Sequence, residues 1–105
     1  MKSSIPLQYV KSLTYEVSYL SVIFKNEWCQ EDISVLTTLL FHNINVISIQ
    51  EKIIGADREN IRFSWENYAF VLSFDCYSQS CWIEGQDDTS TAQLKVLCSV
   101  IKNHE

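Results

Sequence analysis

The feature that most constrains this sequence is an aromatic-rich run interrupted by Glu66-Asn67. Apolar residues occupy every second position before the interruption and every second position after it, which is typical of half-buried strands. A two-residue turn at Glu66-Asn67 would bring apolar residues opposite apolar residues on a single face. The pairs are Trp65 with Tyr68, Phe63 with Phe70, and Ile61 with Leu72. A slip of one residue would move all of them to the other face, so turn length and pattern predict the same β-hairpin.

Strand patterns also lie on both sides of this hairpin. The segment from Leu13 to Phe24 alternates but changes phase near Tyr19, which predicts either one bent strand or two short ones. Val46–Ile53 precedes the hairpin, with Ile47, Ile49 and Ile53 expected on one side. Cys81–Glu84 follows it, after a loop at Tyr77–Ser80.

Two segments have helical spacing of their apolar residues. The first runs from Cys29 to Leu40, and Asn26 is the expected N-cap. The second runs from Leu94 to Ile101, after a Ser90–Gln93 capping box. The order of elements predicts one α+β domain over residues 1–105. It has a mostly antiparallel sheet, made of the N-terminal strand or strands and a four-stranded meander, with two helices packed on one face.

The four cysteines raise the question of thiol chemistry. A four-residue loop at Tyr77–Ser80 would place Cys76 opposite Cys81 on the inner face, where the two could act as a redox pair or one as a nucleophile. No basic residue lies within that hairpin to activate a thiol, so buried, space-filling cysteines are the simpler interpretation. A small redox or hydrolytic enzyme using Cys76 and Cys81 stays an alternative.

Charge and composition oppose several classes of function. Eight Lys and Arg stand against thirteen Asp and Glu, a net charge of −5, and the basic residues are scattered singly. Nucleic acid and anionic membranes are therefore not expected partners. Two histidines and two glycines leave no expected metal site, cofactor or phosphate loop. The sequence shows no secretory signal and no membrane-spanning run, so we expect a cytoplasmic protein with reduced thiols.

The sheet face opposite the helices is the strongest candidate surface. Trp, Tyr and Arg are enriched among residues that dominate binding energy at interfaces. The candidates for partner binding on and beside this face are Trp82, Tyr77, Arg62, Val71, Asp75 and Glu84. The sequence predicts a non-enzymatic protein–protein interaction module, such as an adaptor, a regulator or an inhibitor-like protein. Edge-strand pairing into a homodimer is one form of association. No catalytic residue is expected, and a small-ligand-binding domain is a further alternative.

The region from Leu36 to Val100 resembles a family of bacterial proteins of about 100 residues with no assigned function. The residues that carry the resemblance are Phe63-Ser64-Trp65, Phe70-Val71-Leu72, Phe74-Asp75-Cys76-Tyr77-Ser78 and Trp82-Ile83-Glu84. The resemblance implies a compact bacterial cytoplasmic domain. It implies no activity, cofactor or catalytic residue.

Overall fold

The computed structural model describes residues 9–42, 44 and 46–102, and its central element is a six-stranded antiparallel sheet. The strands are β1 (Val10–Tyr15), β2 (Tyr19–Phe24), β3 (Ile47–Ile54), β4 (Arg58–Trp65), β5 (Tyr68–Asp75) and β6 (Ser80–Gly85). Their order across the sheet is β1-β2-β6-β5-β4-β3, so β1 and β3 are the edge strands. The helices are α1 (Ile33–Leu40), α2 (Asp88–Thr91) and α3 (Leu94–Lys102), and a 3-10 turn, Gln30–Asp32, precedes α1. The predicted α+β class is confirmed.

The β4–β5 hairpin has the predicted register. Its opposed pairs are Trp65 with Tyr68, Phe63 with Phe70, and Ile61 with Leu72. Glu66 and Asn67 both have positive φ, 53° and 69°. Positive φ at both central residues is what a type I′ turn requires, and that turn matches the right-handed twist of the flanking strands.

The N-terminal segment forms two strands rather than one bent strand. The turn between them lies at residues 16–18, slightly before the predicted position near Tyr19, and Val17 adopts a φ of 72°. β2 then pairs with β6, with Leu20 opposite Ile83 and Val22 opposite Cys81. The sequence pattern did not specify this placement, because alternation fixes the face of a strand but not its neighbour.

β3 departs from the predicted facing of its isoleucines. The register with β4 shifts between Ile49 and Glu51, so that Ile49 lies opposite Phe63 but Ile53 lies opposite Asn60. The extra residue of a β-bulge changes which face the following side chains occupy. The expectation that Ile53 shares a face with Ile47 and Ile49 is therefore wrong.

The entry to α1 also differs from prediction. The first turn is closed by Asp32, whose Oδ2 accepts a hydrogen bond from the Cys29 backbone N–H at 2.9 Å, so Asn26 is not the cap. Cys29 is exposed outside the helix instead of lying on its buried side. The buried residues of α1 are Ile33, Leu36, Thr37 and Leu40.

The second predicted helix is divided into α2 and α3. Asp87 caps α2, since its Oδ1 accepts from the Ser90 backbone N–H at 2.7 Å. The Ser90 hydroxyl accepts from the backbone N–H of Ala69 on β5 at 2.9 Å, which ties the helix to the sheet. The predicted Ser90–Gln93 capping box is therefore wrong. Leu94, Leu97, Cys98 and Ile101 form the buried stripe of α3, as their spacing indicates.

The apolar sides of α1 and α3 pack against one face of the sheet, which we call the inner face. Buried side chains from α1, α3 and this face belong to a single apolar cluster. Within it Phe63 stacks on Phe70 with ring centroids 5.5 Å apart, and Phe41, just after α1, packs on Phe63 at 4.7 Å. We call the opposite face the outer face, and none of its residues within 9–42, 44 and 46–102 contributes a side chain to that cluster.

Gly85 offers a test of how closely α2 approaches the sheet. An added Cβ would lie 2.5 Å from the Thr91 backbone nitrogen and 2.7 Å from its Cα, so α2 would have to move. We expect Gly85→Ala to lower the free energy of unfolding by about 1–3 kcal/mol, as measured by urea denaturation. Gly55→Ala is the matched control, because its Cβ would meet only the Arg58 carbonyl oxygen at 3.6 Å. Equal losses in the two variants would contradict the close packing of α2.

Candidate functional site

The outer face is organised in rows that cross the strands. One row runs from β4 through β5 and β6 to β2 and consists of Arg62, Val71, Glu84 and Tyr19. The next row consists of Asn60, Ser73, Trp82 and Ser21. Directly opposed residues in antiparallel strands point to the same side of the sheet. The register therefore brings four predicted residues, Arg62, Val71, Trp82 and Glu84, onto one continuous surface.

An open cavity of about 690 Å³ lies on this surface where β2 meets β6. We call it the outer cleft. Gln79 and Ser80 line its end beside the β5–β6 turn, and its other lining residues are Ser18, Tyr19, Ser21, Val22, Ile23, Cys81, Trp82 and Glu84. Ser21 lies directly opposite Trp82, and Tyr19 lies directly opposite Glu84. The small side chain of Ser21 leaves space beside the half-buried indole of Trp82, which exposes an aromatic surface inside the cleft.

Trp82 and Glu84 are joined on the outer face. The indole Nε1–H of Trp82 donates a hydrogen bond to the Glu84 carboxylate, two residues further along β6. This bond satisfies the polar atom of the indole, which usually needs a partner when it is removed from water. It also fixes the position of the carboxylate beside the cleft.

Arg62 is occupied by partners within the chain. Its guanidinium forms an ion pair with Glu51 at 3.2 Å and donates to the Gln86 side-chain oxygen at 2.7 Å. Both side chains of the ion pair are about half exposed, so its contribution to stability is small. Arg62 thus borders the candidate surface as a partly neutralised charge.

Asp75 and Tyr77 lie at the end of the sheet rather than in the outer cleft. Asp75 pairs with Arg58 at 3.2 Å, and its Oδ1 accepts from the backbone N–H groups of Tyr77 and Ser78. It therefore organises the turn that joins β5 to β6. Tyr77 is in that turn and its side chain is 88% exposed. The four-residue loop predicted at Tyr77–Ser80 would have paired Asp75 with Trp82, and that pairing is wrong, because Asp75 lies opposite Ser80.

The predicted approach of Cys76 to Cys81 is wrong for the same reason. The β5–β6 turn occupies residues 76–79, so Cys81 lies opposite Phe74 and Cys76 falls in the turn. The Sγ of Cys76 lies 3.9 Å from Oδ1 of Asp57 in the neighbouring loop. The thiol hypothesis thereby loses the cross-strand geometry that suggested it.

The four free cysteines occupy different environments. Cys81 and Cys98 are buried, and burial raises the pKa of each thiol, with the charge of Lys102 partly opposing this shift at Cys98. Cys29 is exposed, and a hydrogen bond to the Asp32 carboxylate is the main cause that raises the pKa of its thiol. Cys76 is half-buried. The expectation of four core cysteines therefore holds for two.

Sequence reasoning missed the β2 side of the site. Tyr19, Ser21 and Ile23 line the outer cleft, but they become neighbours of Trp82 and Glu84 only because β2 pairs with β6. The phase change near Tyr19 was the sequence signal that could have identified them. It places Tyr19, Ser21 and Ile23 on the face opposite to that of the buried residues Leu20 and Val22.

Metal binding and membrane insertion would each need a structural feature of their own. Across residues 9–42, 44 and 46–102, three or more His, Cys, Asp or Glu side chains nowhere gather closely enough to hold a metal ion. In the same part of the chain, each helix is too short or too polar to cross a membrane.

Residues 10–101 match the family model described as "Protein of unknown function (DUF3630)". The chain belongs to this family. The match begins at β1, so it extends well beyond the Leu36–Val100 region of the resemblance noted from sequence. Comparisons with curated proteins and with solved structures return no match. The DUF3630 description names no activity, ligand or catalytic residue.

The cysteine environments predict a two-phase thiol titration. With Ellman's reagent on the native protein, we expect Cys29 and Cys76 to react first, and Cys81 and Cys98 to react only as the protein unfolds. Cys76→Ser should remove one of the two early equivalents and leave the late phase unchanged. Four equivalents that react at one rate in native protein would contradict these placements.

Proposed function

We propose that this protein is a non-enzymatic, cytoplasmic protein–protein interaction module that binds its partner through the outer face. The observation that carries the proposal is the half-buried Trp82 beside an open cleft, on the sheet face that the helices leave uncovered. Tryptophan is among the residues that most often dominate binding energy at interfaces. The four free thiols suit a reducing compartment.

The size of the outer face supports an interface of modest extent. Six strands at ~4.8 Å spacing span about 24 Å, and strands of six to eight residues run roughly 20–27 Å. The flat area is therefore on the order of 500–650 Å², before the relief of side chains is counted. Stable complexes bury about 800 Å² on each partner. A partner that buries this much would thus cover the whole face and some of its border, with Trp82 near the centre.

A second copy of the chain is one form that the partner could take. The edge strand β3 favours self-association, because it exposes apolar residues to solvent. Ile49, Ile53 and Ile54 are 44%, 52% and 66% exposed. The bulge after Ile49 opposes it, because bulges are among the features that discourage edge-to-edge pairing. Sedimentation velocity over a concentration series separates self-association from binding to a different protein.

Small-ligand binding is the second candidate function. The outer cleft falls within the ~300–1,000 Å³ range of small-molecule sites. It is open along the sheet, whereas such sites usually enclose most of the ligand. The cleft therefore favours an extended protein surface over a small molecule as its occupant.

The proposal predicts that partner capture depends on Trp82. We expect the wild-type protein to retain a stoichiometric partner from native lysate. With Trp82→Ala the amount of partner retained should fall at least ~10-fold, which corresponds to the loss of a ~1.4 kcal/mol contact. Tyr77→Ala is the matched aromatic control, because Tyr77 is in the β5–β6 turn and outside the cleft. Capture that survives Trp82→Ala but is lost with Tyr77→Ala would place the interface elsewhere. Unchanged thermal unfolding would show that both variants are folded.

A further inference from the structure

We propose that the outer cleft is a binding site for an arginine side chain presented by the partner protein. The inference rests on the proposed function and specifies the chemistry by which the partner is recognised. The inference is based on the placement of Tyr19, Trp82 and Glu84 around the small residue Ser21. These residues line an open cavity of about 690 Å³.

The aromatic side chains supply the first part of the site. Tyr19 lies opposite Glu84 and Trp82 lies opposite Ser21, so the two aromatic residues are diagonal neighbours across β2 and β6. The planar guanidinium of arginine stacks on aromatic faces, and Trp is the strongest partner for a cation. Ser21 has a small side chain, and the cavity that it lines together with Tyr19 and Trp82 has room for a flat group.

The Glu84 carboxylate supplies the second part. Three acidic residues lie on strands of the outer face: Glu51, Asp75 and Glu84. Glu51 pairs with Arg62 and Asp75 pairs with Arg58, whereas neither of these ion pairs involves Glu84. The indole N–H of Trp82 uses only part of its hydrogen-bonding capacity. Glu84 can therefore accept further hydrogen bonds from a guanidinium that stacks on the indole.

The overall charge of the chain points the same way. A net charge of −5 favours the approach of a basic partner and opposes the approach of an acidic one. Because Glu84 is exposed, its attraction for a cation is screened by salt. Binding through this site should therefore weaken as the salt concentration rises.

The test uses Nα-acetyl-arginine amide as the probe, with the citrulline analogue as its neutral isostere, in ¹H–¹⁵N NMR titrations of the full chain. We expect the arginine probe to shift the Trp82 indole signal and the backbone signals of Tyr19 and Ser21. The citrulline analogue should bind at least ~3-fold more weakly, since it lacks the cation. Equal binding of the two probes, or no shift at Trp82, would overturn the inference.

Matched variants separate the role of Glu84 from a general effect of charge. Glu84→Gln and Glu51→Gln remove the same charge from the same face, but the Glu51 carboxylate already pairs with Arg62 and lies outside the outer cleft. We expect Glu84→Gln to weaken the arginine probe at least ~3-fold and Glu51→Gln to leave its affinity within twofold. An equal loss of affinity for the arginine probe in the two variants would show that only the net charge matters. That result would contradict a site at Glu84.

Failure of this inference is distinguishable from failure of the proposed function. If capture of a partner depends on Trp82 but survives both Glu84→Gln and high salt, the outer face is the docking surface and the arginine site is wrong. If the arginine probe binds as expected but Trp82→Ala leaves partner capture unchanged, the site is real and the proposed docking role is wrong.

Discussion

The two-residue turn at Glu66 and Asn67 sets the register on which the two faces of the sheet depend. Both residues adopt positive φ, as a two-residue type I′ turn requires. A turn of this length sets a single register for the pairing of β4 with β5. Phe63 then stacks on Phe70 beneath the helices, while Arg62 and Val71 point to the other side. A slip of one residue would bury the polar set and expose the aromatic set, at a cost of several side-chain burials of about 1.5–3 kcal/mol each.

The contrast between the two faces follows from that register. The inner face carries aromatic and branched side chains, so it must be covered, and α1 and α3 supply the apolar stripes that cover it. The outer face carries Ser21, Ser64 and Glu84 at its strand positions, none of which is buried, so it can stay in contact with water. The pairing of β2 with β6 then brings Tyr19 beside Glu84 and Trp82, and this pairing creates the outer cleft.

Sequence reasoning succeeded where two independent constraints agreed and failed where only one was available. At the first hairpin, the turn length and the apolar alternation specify one register. At the β5–β6 connection a shift of two residues keeps every side chain on its face, so alternation could not choose between registers. The choice depends on Asp75, which accepts from the Tyr77 and Ser78 amides and starts the turn at Cys76. For the same reason, the sequence identified Trp82 and Glu84 but not the β2 residues beside them. Alternation predicts which face a residue occupies, but it does not predict that β2 lies next to β6.

In the part of the chain that the structure describes, the helices cover one face of the sheet and leave the other open around Trp82. NMR of dilute protein with a soluble gadolinium chelate tests it directly, because the chelate broadens signals near the molecular surface. The account predicts strong broadening of the Trp82 indole and the Val71 methyl groups. It predicts little effect on Trp28, Trp65 and Leu72, which are 7%, 8% and 0% exposed. Protection of Trp82 and Val71 equal to that of the buried residues would contradict an uncovered outer face.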